Sequence, residues 1–130
     1  MADLLILAQG GAWQDRFQIS SLAASAAAVG EQVEIALFFA ALEAWATDQW
    51  DRLDPRPPLE PDRLLALQMP PLSELLTEGR ATGRIRLFAC SASTRLLGLE
   101  TAAVQARVDV IAGWQSFSRM TATAGRVVTL

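Results

Sequence analysis

Short apolar runs alternate along this chain with stretches of helical rhythm. Leu4-Leu5-Ile6-Leu7-Ala8 is continuously apolar and stops at Gln9-Gly10-Gly11, the pattern of a strand buried on both faces. From about Gln14 to Val29, the residues Phe17, Ile19, Leu22, Ala23, Ala26 and Val29 recur at three- and four-residue steps and predict an amphipathic helix. Its many alanines and serines let it lie close to a sheet, and Gly30 stands where a helix C′ glycine belongs. Val33 to Phe38 is a second strand, broken only by Glu34, and Ala40 to Trp50 can form a short helix. Ile85 to Ala89, Val108 to Ala112 and Arg126 to Leu130 are the third, fourth and fifth strands. Leu72 to Glu78, Ser91 to Leu97, Glu100 to Ala106 and Ser116 to Ala124 read as helices, with Gly79 and Gly98 as stops.

Strand and helix thus alternate, and the strands are continuously apolar rather than two-faced. The expected fold class is α/β: a three-layer α/β/α sandwich around a five-stranded, mainly parallel sheet, flavodoxin-like in appearance. A length of 130 residues fits a single domain, 1–130, able to hold a real core. Between about 54 and 71 the rhythm fails. All six prolines fall there (Pro55, Pro57, Pro58, Pro61, Pro70 and Pro71), so an irregular insertion is expected, with one turn of helix near Arg63 to Gln68.

Composition narrows the chemistry. The chain has no histidine, lysine or tyrosine, and one cysteine, Cys90. That excludes a Ser-His-Asp triad, a Walker A lysine, a Schiff base, an intrachain disulfide and a Cys- or His-based metal site. No cofactor is expected. A net charge of −3 with scattered arginines argues against a nucleic-acid surface. The longest apolar run, Ile35 to Leu42, is too short to span a bilayer, and the N-terminus lacks a basic signal region, so a cytoplasmic protein is expected, with no membrane partner.

In parallel sheets ligands bind beyond the C-terminal strand ends. Those ends are Gln9 to Trp13, Phe39 to Ala41, Cys90 to Ser93 and Gly113 to Phe117. Cys90 stands where the third strand gives way to a helix, whose free amides and dipole favour an anionic sulfur. Arg95 follows in the same helix. The bland alternative is a buried thiol that fills space. With no general base adjacent, hydrolysis is disfavoured, whereas sulfur transfer needs only a nucleophilic thiolate that can hold a persulfide. Gln9, Gly10, Gly11, Trp13, Ser91, Ser93, Arg95 and Trp114 are the candidate pocket residues around it. Gly10-Gly11 lacks the third glycine of a dinucleotide fingerprint and reads as a loop. Glu43, Asp48 and Asp51 read as a solvated helix face. Trp13 and Trp114, in strand-end loops, can wall a pocket or a subunit contact, or simply pack in the core.

The segment RIRLFACSASTRLLGL, Arg84 to Leu99, resembles the cysteine segment of DsrE/DsrF-like (YchN-like) proteins. There a strand ends in Ala-Cys, followed by an apolar helix and Gly-Leu or Gly-Ile. Asp109 to Trp114 and Gly125 to Leu130 are similar to that family's closing strand–helix–strand, and Gly30-x-x-Val33-x-Ile35 also fits. The resemblance implies an α/β/α domain, self-association as trimers or hexamers, and a sulfur carrier or sulfurtransferase-like role with a persulfide on Cys90. A sulfur donor or acceptor protein would then be the partner. Two features depart from the family: Ser91 follows the cysteine where many members have proline, and the 54–71 segment has no counterpart. The alternative reading is a non-catalytic oligomeric binding or regulatory module of the same fold.

Overall fold

The computed structural model describes residues 1–54 and 60–130. Pro55, Pro57 and Pro58 of the expected proline-rich insertion therefore lie outside the described residues. The elements run β1 (Leu4–Ala8), α1 (Trp13–Ala28), β2 (Val33–Leu37), α2 (Phe39–Ala46), α3 (Pro61–Ala66), α4 (Leu72–Ala81), β3 (Ile85–Cys90), α5 (Ser91–Leu96), α6 (Thr101–Gln105), β4 (Val110–Ala112), α7 (Trp114–Thr123) and β5 (Arg126–Thr129).

All five strands are parallel, in the order β4-β3-β2-β1-β5. Continuous apolar runs suit β1, β2 and β3, which are largely buried on both faces, while the edge strand β5 is mostly exposed. The register Leu4↔Val33↔Ile85 puts Leu4, Ile6, Ala8, Val33, Ile35, Leu37, Ile85, Leu87 and Ala89 on one face. There they meet Ile19, Ala23 and Ala26 of α1, Leu42 and Trp45 of α2, Leu76 of α4 and Val104 of α6 in the main core. The opposite face presents Leu7, Ala36, Phe88, Cys90, Val110 and Ala112, which with Phe38 pack against Phe117 and Met120 of α7. The result is a three-layer α/β/α sandwich with one thick helical layer and one thin one. α7 alone links β4 at one edge to β5 at the other, so it must cross the sheet.

Several expectations need correcting. Gly79 does not stop a helix: α4 continues through it to Ala81. A Cβ at Gly79 would run into the side chain of Ile85, so glycine is required by the close approach of α4 to β3. Val29 does not belong to the buried stripe of α1, because it is the exposed C-cap. Arg16 and Ser20 do belong to it. Ser20 Oγ accepts the indole N–H of Trp50 at 2.8 Å, and Trp50 meets Trp45 edge to face at 5.6 Å, so these two tryptophans are core residues. The expected strand over Val108 to Ala112 keeps only its last three residues. The Asp109 carboxylate takes the Leu87 amide at 2.7 Å and both nitrogens of the Arg80 fork, which occupies the place of a strand pairing. In the 54–71 window, α3 begins at Pro61, a residue suited to a first helical turn, rather than at Arg63.

Candidate functional site

The loop after β1 is occupied by the chain's own groups. The amides of Gln9 and Gly10 donate to the Leu130 carbonyl at 2.8 and 3.2 Å, extending the β1–β5 pairing. The Ala12 amide goes to Asp15 and the Trp13 amide to Asp54, at 3.2 and 2.9 Å. An anion arriving at the start of α1 would find those donors already taken by carboxylates. The two glycines are needed for packing: a Cβ at Gly10 would stand 2.5 Å from the Asp15 carboxylate, and one at Gly11 2.5 Å from the Ala40 Cβ.

Arg16 holds this corner together. It is only 3% exposed. Its guanidinium donates to the carbonyls of Gly11, Gln49 and Trp50 at 3.1, 2.8 and 2.6 Å and pairs with Asp54 at 3.1 Å. Burial pulls its pKa below the ordinary arginine value, and the neighbouring Asp54 carboxylate opposes that pull. Sequence reasoning missed Arg16. The available signal was its place three residues before Ile19 and seven before Ala23, within the buried stripe.

Cys90 ends β3 and is the N-cap of α5. Its Sγ accepts the Ser93 amide at 3.4 Å, and its carbonyl accepts the Thr94 hydroxyl at 2.9 Å. The thiol is 1% exposed, packed among Ala36, Phe38, Phe88 and Phe117. Ser93, three residues on, has its Oγ buried with no hydrogen-bond partner among the described residues. Ser91 Oγ lies 3.7 Å from where a Cβ on Gly113 would stand, so the starts of α5 and α7 are neighbours. Arg95 is exposed on α5. Among the described residues, the Ser93 amide is the polar group found at the sulfur.

An aromatic stack lies over the second face at the strand ends. Trp114, the first residue of α7, is 59% exposed and stacks on Phe38 with centroids 5.1 Å apart and planes 26° from parallel. Phe117 meets both rings edge-on, at 5.1 and 5.8 Å. Beside it is a cleft of about 130 Å³ lined by Leu7, Gln9, Phe38, Phe39, Trp114 and Thr129. Phe39 stands at the C-terminal end of β2, the central strand, with φ +42°. A bulky side chain at positive φ is strained, and such strain gathers at functional sites.

The expected pocket therefore divides into separate places. Gln9 and Trp114 come together in the aromatic cleft. Gly11 faces a polar groove with Arg16, Arg52 and Asp54. Trp13 lies on the other side of the sheet from Trp114: it opens α1, stacks on Phe17 at 5.4 Å, and lines an apolar groove of about 390 Å³ with Leu64, Met69 and Pro70. Both tryptophans begin helices rather than standing in loops. Glu43, Asp48 and Asp51 form no cluster: Asp48 pairs with Arg107 at 3.0 Å, while Asp51 accepts from Ser73. Among the described residues, no helix is long and apolar enough to cross a membrane.

No protein-family model matches this chain, and no curated protein does. Among solved structures it is similar to a protein of unknown function, MTH1491, from Methanobacterium thermoautotrophicum. The two share 15% sequence identity and superpose with a TM-score of 0.63, over 98% of this chain and 97% of that one. The likeness is one of fold: both chains carry the same α/β architecture along nearly their full lengths.

Proposed function

We propose that this protein is a non-catalytic binding module, working as a homo-oligomer in the cytoplasm, whose recognition site is the aromatic cleft at the strand ends. One observation carries the reading: Cys90, the one thiol in the chain, is 1% exposed and packed in one apolar cluster with Phe38, Phe88 and Phe117. A nucleophile must meet its substrate, and this one is walled by apolar side chains. The half-exposed groups at the strand ends are instead Phe39 and Trp114, which are suited to binding rather than to bond making. Self-association is supported by exposed apolar side chains away from the cleft, among them Leu65, Leu96 and Val127, and by the resemblance to trimeric and hexameric DsrE/DsrF-like proteins. The test of binding without catalysis is native thiol reactivity. Cys90 should resist a thiol reagent in the folded state and react once the chain is unfolded. Rapid native labelling would count against the reading.

The persulfide carrier is the second reading, favoured by one specific observation. Cys90 sits at the C-terminal end of β3, where the family resemblance expects its cysteine, and the Ser93 amide donates to its sulfur. That reading requires the aromatic stack to open, with a sulfur donor protein delivering the sulfane sulfur. Light scattering addresses both readings, since each expects an assembly; a strictly monomeric mass at micromolar concentration would remove the oligomeric part.

A further inference from the structure

The aromatic cleft has a size, a lining and a charge that together select a ligand. Its volume of about 130 Å³ is close to that of the apolar cavities of about 150 Å³ that hold a benzene ring. Three of its six lining residues, Phe38, Phe39 and Trp114, are aromatic. The other three are Leu7, Gln9 and Thr129, so among the described residues no lining residue is charged. A charged ligand would lose its hydration there without a counter-charge, whereas an uncharged ring would lose little. Gln9 and Thr129 add an amide and a hydroxyl, which suit a ligand with one hydrogen-bonding edge. Phe39 is held at positive φ while staying 48% exposed. A half-exposed ring recovers little burial for that strain, as expected where the ring's position serves a ligand.

We propose that the cleft binds a small, uncharged, single-ring aromatic molecule carrying a polar edge such as a carboxamide. The ring inserts beside the Phe38–Trp114 stack and against Phe39, and its polar edge pairs with Gln9. This inference rests on the binding-module reading and names the ligand class of that same site. The phenyl ring of a partner protein's phenylalanine has no polar edge to offer Gln9 and Thr129, which favours a free small molecule over such a side chain.

The experiment is a titration of the nitrogen-15-labelled 130-residue chain with benzamide, followed by NMR. Cyclohexanecarboxamide serves as the saturated control and benzoate as the charged one. Benzamide should produce saturable shifts at the Trp114 indole N–H and the Gln9 side-chain amide. Its affinity should exceed that of either control by about tenfold, the scale of one aromatic stacking contact. Trp114→Ala and Phe39→Ala should each weaken benzamide by a similar factor, and the exposure of both side chains makes folding of the variants straightforward to verify. Equal binding of cyclohexanecarboxamide would overturn the inference, as would shifts centred on the groove at Trp13, or none that saturate. If a short phenylalanine peptide binds and benzamide does not, the cleft serves a protein partner and the inference falls. Sulfur loading of Cys90 would remove the non-catalytic reading but leave a positive benzamide titration standing, so the two failures are distinguishable.

Discussion

Replacing Phe39 by glycine and by alanine isolates the backbone strain at the cleft. Phe39 has φ +42° and is the first residue of α2. Either substitution removes the same half-exposed ring, so the lost burial cancels in the comparison. What remains is the Cβ. A Cβ at left-handed φ costs about 1–2 kcal/mol, and glycine avoids that cost. Against this, glycine loses about 0.5–1 kcal/mol more backbone entropy on folding than alanine. The balance favours Phe39→Gly over Phe39→Ala by about 0.8 kcal/mol, the middle of a span from about 0 to 1.5 kcal/mol. At an ordinary helix position the order is reversed, with alanine ahead by about 0.8–1 kcal/mol. Urea unfolding reads the difference: with a mid-range slope of about 2 kcal/mol/M, the glycine variant should unfold at a midpoint higher by about 0.4 M. If alanine is the more stable, Phe39 is not held at positive φ and the strain argument for the cleft fails.

Arg16→Met should destabilise the fold by about 2–4 kcal/mol, because three carbonyls and Asp54 lose a buried donor; Arg16→Lys should recover only part of this, since an ammonium cannot reproduce the fork. Denaturant melts check both, and wild-type stability in either variant would refute the bracing role. The Asp109 carboxyl is pushed up by partial burial, but its hydrogen bonds from Arg80 and the Leu87 amide outweigh this and hold it below the ordinary 3.8. A lowered folded pKa adds stability above the unfolded value that is lost as pH falls through the folded one. Wild type and Asp109→Asn should therefore converge in stability as pH falls below 3.8, and a constant gap across acid titration would contradict the assignment. Phe117→Leu should keep the fold and speed native labelling of Cys90, because Phe117 is part of the wall over the thiol; unchanged labelling would mean the thiol is shielded elsewhere.

The alternation of apolar runs was enough to read the sheet and its helices, because a strand covered on both faces has to be apolar throughout. The junction of β3, Cys90 and α5 was legible for the same reason. The pocket was not. Whether Trp13 and Trp114 share a cavity depends on which face each helix covers, and that follows from α7 crossing from β4 to β5, a property of strand order. Gly79 looked like a helix stop because glycine usually is one; its need for closeness to Ile85 is a tertiary fact. Arg16 was passed over because a charged residue in an apolar stripe reads as solvent-facing until its acceptors are known. Phe39 gave no sign at all, since phenylalanine has no preference for left-handed φ.

Cys90 is either a packed residue or a working one. Incubating the folded protein with a sulfane-sulfur donor and weighing the intact chain tests this directly. The binding-module account predicts no gain in mass. A gain of one sulfur in the wild type that disappears in Cys90→Ser would contradict it and establish the persulfide carrier instead.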